Sequence, residues 1–300
     1  MKIHHALIIT ILITFIISLM CVSLFPSVQA FMQYNTLWNG LRHSLNALNA
    51  NTVDTSNGFP QIDSNNVLVC IPYLQYSDSE LEQLKDFVNS GGTLMVMDDF
   101  GFGNDILTYL GIGCRFSGSP LLDPLYCYKN QSFPEIMDFS TAVSRNVKEV
   151  VLNHATALLN IDNSLVIARS SASSYLDRNG NGSWDEGELQ GPLPVAAKMR
   201  QGNGTIILVS DPGILINSML VKDDNLLFIK TLTGSDINSG EILVDTSHLI
   251  RDPMEITKTK LVGIKGILSR PCALLGIVSL LFIFASIYIL KMGGSIGRES

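Results

Sequence analysis

Val67-Leu68-Val69-Cys70-Ile71-Pro72, then Ser77-Asp78-Ser79-Glu80, then Phe87-Val88-Asn89-Ser90-Gly91-Gly92-Thr93-Leu94-Met95-Val96-Met97-Asp98-Asp99 is the stretch whose reading decides the fold. The first run is continuously apolar and ended by proline, the pattern of a strand buried on both faces of a parallel sheet. Ser77 and Glu80 form a Ser-x-x-Glu capping box. Leu81, Leu84 and Val88 then recur on one helical face, and Gly91-Gly92 supplies a left-handed stop. Thr93 to Met97 is a second buried strand, and it delivers Asp98 and Asp99 to its carboxyl end. A helix from Asp78 to Asn89 must therefore cross between two parallel strands.

The same alternation continues outward. Asn104 to Leu110 reads as a short helix closed by Gly111, completing a βαβα unit. Residues 114–148 break into Pro, Gly, Ser and aromatic residues and read as an irregular insertion. Periodicity returns at Glu149 to Leu152, Ser164 to Ala168, Leu193 to Met199 and Thr205 to Val209, the last ending in Ser210-Asp211-Pro212. Asn225 to Thr233 is a short helix and Glu241 to Asp245 a last strand. The expected fold class is α/β, a three-layer sandwich with a mainly parallel sheet of flavodoxin-like kind.

The 300 residues are 46% hydrophobic and only 16% charged, with a mean hydropathy of +0.28. That is too apolar for an ordinary soluble domain, and it places the excess in lipid. Ile3 to Phe25 carries no charged residue and reads as a transmembrane signal-anchor. Ser27-Val28-Gln29-Ala30 leaves a cleaved signal peptide as the alternative. Pro271 to Leu290 is a second uncharged stretch of spanning length, flanked by Arg270 and Lys291. The expected organisation is an anchor at 1–30, an α/β domain at 31–257, a basic juxtamembrane linker at 258–270, a transmembrane helix at 271–290 and a short tail at 291–300. The domain from Phe31 to Thr257 carries 13 Lys and Arg against 26 Asp and Glu, a net −13, while Lys258 to Ser300 carries 6 against 1. Lys2 precedes the first span and no basic residue follows until Arg42, which argues for a two-pass protein of the cell membrane with its globule extracytoplasmic. An acidic globule repels phosphate backbones, so nucleic acid is excluded as a partner.

The order of several short pieces matches a known pattern. Trp38-Asn39-Gly40, Ile71-Pro72, Ser77 with Glu80, Phe87 to Thr93, Asn104 with Leu107, Leu110-Gly111-Ile112, Pro194-Val195-Ala196-Ala197 and Gly204 through Val209-Ser210-Asp211-Pro212 to Asn217 stand in fixed order. Together, over roughly Tyr34 to Thr233, they resemble a family of prokaryotic membrane-anchored proteins of unknown function. The resemblance implies a domain like the class I glutamine amidotransferase fold, and a likeness to the accessory component of gliding-motility ABC exporters. Some members of that family are encoded beside MoxR-type AAA ATPases. It supplies fold and setting, not a reaction. A class I amidotransferase needs Gly-x-Cys-x-Gly and a downstream His-x-Glu, so that an imidazole activates an exposed thiolate. Neither is present: Cys114 is flanked by Ile112 and Phe116, and His248 is followed by Leu249-Ile250.

Three features could carry chemistry. Asp177 to Glu188 fits a twelve-residue calcium loop, with oxygen ligands from Asp177, Asn179, Asn181, Ser183, Asp185 and Glu188 and a turn at Gly182. Trp184 stands where an aliphatic residue is usual, and Ser171 to Leu176 is a poor entering helix, so the loop is expected as a calcium-clasped hairpin tip. A polar turn that binds nothing is the plain alternative. Asp98, Asp99, Ser210, Asp211 and His248 fall at strand ends, where parallel sheets bind ligands, although aspartates there commonly cap the next helix. Cys114 and Cys127 lie where a disulfide could form outside the cell. The expected function is a membrane-tethered, non-catalytic binding or scaffold domain, an accessory subunit with a protein partner in a membrane complex. A hydrolase using Asp98, Asp211 and His248 is the alternative, favoured if the three line one deep pocket.

Overall fold

The computed structural model describes residues 3–24, 27–55, 63–234, 240–251 and 253–268. Two units divide the chain, one of Pro26–Arg251 and one of Met1–Phe25 with Asp252–Ser300. In the larger unit, strand β1 is Asn51–Val53, β2 Val67–Cys70, β3 Thr93–Met97, β4 Asp138–Phe139, β5 Val166–Arg169, β6 Pro194–Gln201, β7 Gly204–Val209 and β8 Ile242–Asp245. Helix α1 is Ile3–Leu24, α2 Arg42–Ala47, α3 Asp78–Asn89, α4 Gly103–Tyr109, α5 Asn225–Thr233 and α6 Pro253–Leu268.

The capping box forms. The Ser77 amide and hydroxyl donate to Glu80 Oε2 at 2.8 and 2.6 Å, and the Glu80 amide returns a bond to Ser77 Oγ at 3.4 Å. Leu81, Leu84, Phe87 and Val88 are buried, and each such side chain stabilises by roughly 1.5–3 kcal/mol. Past the helix end Gly91 takes φ +116°, which a side chain would strain. β2 and β3 then pair in parallel, Val67 opposite Thr93 and Cys70 opposite Val96, with α3 crossing between them.

Eight strands make one sheet in the order β1-β8-β2-β3-β7-β6-β5-β4. The pairings from β1 through β7 are parallel. Those of β7 with β6, β6 with β5 and β5 with β4 are antiparallel. The expected mainly parallel sheet is therefore corrected to a mixed one. The cause is local: Gly202-Asn203 joins β6 to β7 in two residues, with Gln201 opposite Gly204 and Gly202 at φ +56°. So short a connection closes a hairpin and cannot cross over.

Alternation along the parallel strands divides the core. Val67, Val69, Met95, Met97, Ile207 and Val209 face Leu45 of α2 and Phe228 and Ile229 of α5. Leu68, Cys70, Leu94, Val96, Ile206 and Leu208 face Leu84 and Val88 of α3 and Ile106 and Leu107 of α4. The start of β7 runs so close to α3 that a Cβ on Gly204 would lie 2.2 Å from the Val88 carbonyl oxygen. Residues 114–148 hold two-residue strands at Arg115–Phe116, Leu121–Leu122 and Glu135–Ile136, paired with Leu158–Leu159, Tyr175–Leu176 and Val150–Val151. Cys114 and Cys127 are both free thiols.

In the smaller unit, α1 turns its Thr14 and Ser18 hydroxyls back to the carbonyls of Thr10 and Thr14 at 2.9 Å each. Among the described residues no helix is long and apolar enough to cross a membrane. This overturns the expected two-pass membrane architecture, its localisation, and the reading of Ile3 to Phe25 as a span. The second expected span, Pro271 to Leu290, lies outside the described residues. The expected linker is helical from its start, since α6 already contains Lys258, paired with Glu255 at 3.6 Å.

Candidate functional site

The five strands of the parallel half end on one edge, and two separate polar groups form there. The first follows β3 and β7. Asp98 is buried and accepts the amides of Gly101 and Gly103 at 2.8 Å each, which starts α4. Burial pushes its carboxyl up to about 6, although those two amides pull it down. Asp99 accepts the Phe100 amide at 2.7 Å and the Tyr73 hydroxyl at 3.4 Å, and burial raises it as well. Asp211 is fully buried and accepts the Asn153 amide at 2.6 Å. Burial raises it well above the usual carboxylate range, and the nearby Asp99 charge adds to the rise. Burial, then the Asp99, Asp211 and Asp98 charges, raise the Tyr73 phenol in turn. Ser210 spends its backbone on Val195 and Thr156.

The second group follows β8. His248 stacks on Tyr76 with ring centroids 3.4 Å apart, and its Nδ1 lies 2.6 Å from Asp245 Oδ2. Asp245 also accepts the Tyr76 hydroxyl at 2.6 Å, the Ser247 amide at 2.9 Å and hydroxyl at 2.5 Å, and the Thr55 hydroxyl at 3.3 Å. Burial pushes this carboxyl up, but the bonds from His248, Ser247 and Tyr76 outweigh it and hold it below its ordinary value. The other ring nitrogen, Nε2, lies 3.4 Å from Glu80 Oε1. His248 and Glu80 line an open cleft of ≈ 400 Å³ with Thr55, Gln75, Ser79, Gln83 and Ser247.

The five expected strand-end residues are thus divided. Asp98, Asp99 and Asp211 gather near Tyr73, while among the described residues no hydrogen bond or ion pair joins His248 to any of the three aspartates. Sequence reasoning missed Asp245, Tyr76 and Tyr73. The Asp-x-x-His spacing of Asp245 and His248 was the available signal.

The expected calcium site is corrected too. Gly180, Asn181 and Gly182 donate their amides to the Asp177 carboxylate at 2.7, 3.2 and 2.9 Å. The side-chain amides of Asn179 and Asn181 both donate to Asp185 Oδ2 at 2.7 Å. Glu188 accepts the amides of Arg178 and Asp185 at 2.7 and 3.1 Å, and the Ser183 amide donates to Asn181 Oδ1 at 2.8 Å. The loop's own N–H groups thus satisfy the acids. Among the described residues no three His, Cys, Asp or Glu side chains gather to hold a metal ion.

Comparison with solved structures gives distant likenesses. The N-terminal domain of mmIFT52 is 15% identical with a TM-score of 0.43, over 55% of this chain and 74% of that one. A cytoplasmic protein of Salmonella typhimurium LT2, STM1381, is 14% identical with a TM-score of 0.40, over 60% and 77%. A β-galactosidase of Bacillus circulans sp. alkalophilus is 16% identical with a TM-score of 0.32, over 53% of this chain and only 22% of the enzyme. A comparison with curated proteins gives no match. Residues 33–233 match a family described as a domain of unknown function, and they take in every residue of the first polar group and all of α3. The chain belongs to this DUF4350 family.

Proposed function

We propose that the larger unit is a non-catalytic binding or scaffold domain that works as a subunit of a protein assembly. The observation that carries this reading is the fate of the candidate acids. Asp98 is spent on starting α4, Asp211 gives one oxygen to the Asn153 amide, and His248 is held by Asp245 elsewhere along the edge. The hydrolase alternative required Asp98, Asp211 and His248 in one pocket, and draws no support from this geometry. Large apolar side chains also stand exposed on the loops after β2 and β3: Leu74 at 45%, Phe100 at 49% and Phe102 at 41%. The loops touch, since the Phe102 amide donates to the Pro72 carbonyl at 2.7 Å. Adjacent exposed apolar residues on a rigid edge suit a protein partner.

The test replaces Phe100 and Phe102 together by serine in the full-length chain and compares co-purifying proteins with the wild type. Unchanged melting with loss of a stoichiometric partner is the expected result. Turnover of an ester, amide or glycoside by the purified wild type, abolished by Asp211→Asn in a folded protein, would overturn the reading.

A further inference from the structure

Resting on that binding reading, we infer that the buried carboxyls beneath the loop after β3 form a pH-sensitive catch on that loop, which holds Phe100 and Phe102 in place in acid and slackens as the carboxyls ionise. Adjacent strand ends build the catch. Met97 of β3 lies opposite Val209 of β7, and the Asp98 amide donates to the Val209 carbonyl at 3.1 Å, so Asp98-Asp99 and Asp211 leave the sheet side by side. Asp98, Asp99 and Asp211 are enclosed, at 2, 9 and 0% exposure. The loop wraps the first of them. Asp98 accepts the Gly101 amide on Oδ1 and the Gly103 amide on Oδ2, and Asp99 accepts that of Phe100. The backbone presses so close that a Cβ on Gly101 would lie 2.7 Å from Asp98 Oδ1, and one on Gly103 2.6 Å from Oδ2. A charge on Asp98 is therefore poorly hydrated while the loop is held.

The titratable groups that face one another here are the three acids, Tyr73 from the loop after β2, and His154 from the loop after Val150–Val151. His154 is exposed. Among the described residues no Lys or Arg is hydrogen-bonded or ion-paired to any of the three acids. Burial raises all three carboxyls, Asp98 to about 6, and outweighs the amide bonds that favour their charge. The direction of the switch follows by linkage. In a conformer whose loop has lifted, water reaches Asp98 and its pKa returns towards ~3.9. The held conformer binds the proton more tightly, so acid favours it, and the lifted conformer gains as pH climbs from about 4 through about 6. Asp98 alone changes their ratio about 25-fold between about pH 4.5 and about pH 7.5. A partner that needs Phe100 and Phe102 held binds in proportion to the held fraction, so the catch grades docking with pH.

The test follows amide hydrogen exchange by mass spectrometry in the full-length chain at about pH 4.5 and about pH 7.5, with rates corrected for the intrinsic pH dependence of exchange. Residues 98–103 report the loop, and α3 reports global unfolding. The expected result is a loop that opens more readily than α3 at both pH values, which marks the opening as local, with an opening constant that rises about 25-fold or more between them. In Asp98→Asn the rise should shrink to about threefold or less, because the amide side chain does not titrate. Loop exchange that matches α3 at both pH values, or a local opening that does not change with pH, would overturn the inference, and both are read from the wild type without any variant. An undiminished rise in folded Asp98→Asn would overturn it as well. The two readings fail separately. Exchange needs no partner, so a pH-independent loop removes the catch and leaves the partner reading standing, whereas retention of every partner by the Phe100 and Phe102 variant removes the docking role and leaves the exchange result intact.

Discussion

Replacing Asp98 by Asn tests whether this acid is a structural cap, because its charge state has a calculable effect on stability. Asp98 is 2% exposed, so solvent screens it little, and its carboxyl is raised to about 6 from ~3.9 in an unfolded chain. A folded pKa above the unfolded one means that the folded state holds the proton more tightly. The stabilisation is therefore complete below about pH 4 and is lost as pH rises through about 6. Two units at 1.36 kcal/mol each amount to roughly 3 kcal/mol. Asn cannot titrate and still offers one oxygen to the Gly101 or Gly103 amide, so its stability should change less with pH. Urea unfolding followed by Trp fluorescence, at about pH 4.5 and about pH 7.5, reads the difference directly. The wild type should lose about 2 kcal/mol more than Asp98→Asn over that interval, since the unfolded carboxyl is already largely ionised at about pH 4.5. Parallel losses in the two proteins would refute the buried, cap-type environment.

Three further outcomes follow from local geometry. Ser77→Ala removes the hydroxyl from the α3 capping box and should cost about 1 kcal/mol in chemical unfolding. Asp177→Ala leaves the amides of Gly180, Asn181 and Gly182 without their acceptor. It should cost about 1–3 kcal/mol, equally with calcium and with chelator, and a loss confined to calcium-containing samples would restore a metal-held loop. Gly204→Ala places a Cβ against the Val88 carbonyl and should cost about 3 kcal/mol or more, read as a fall in melting temperature.

What could be read from the sequence was short-range. The unit from Val67 to Met97 declares itself because burial on both faces, a capping box and a glycine stop all agree along one short stretch, and the helix from Asp78 to Asn89 stands where they put it. The antiparallel half is less legible, because its local signal is confined to the two-residue Gly202-Asn203 turn between two apolar runs. The calcium register was legible as a pattern of oxygens, but the pattern does not say whether those oxygens face an ion or the loop's own amides. Asp177 answers with three amides. Grouping His248 with Asp98 and Asp211 failed for another reason. Strand ends share an edge, but the order of strands along it is tertiary, and β2 lies between β8 and β3. Asp245, three residues before His248, was the nearer partner throughout.

The most direct test of the binding reading is a photoreactive contact at the exposed loop after β3. Benzoylphenylalanine is placed at Phe100 in the full-length chain, with Glu82 on the exposed face of α3 as the comparison position, and cells are irradiated before analysis by mass. The account predicts a discrete higher-mass adduct from position 100 that is absent from position 82. No adduct from position 100 in cells that hold the folded protein, or the same adducts from both positions, would contradict it.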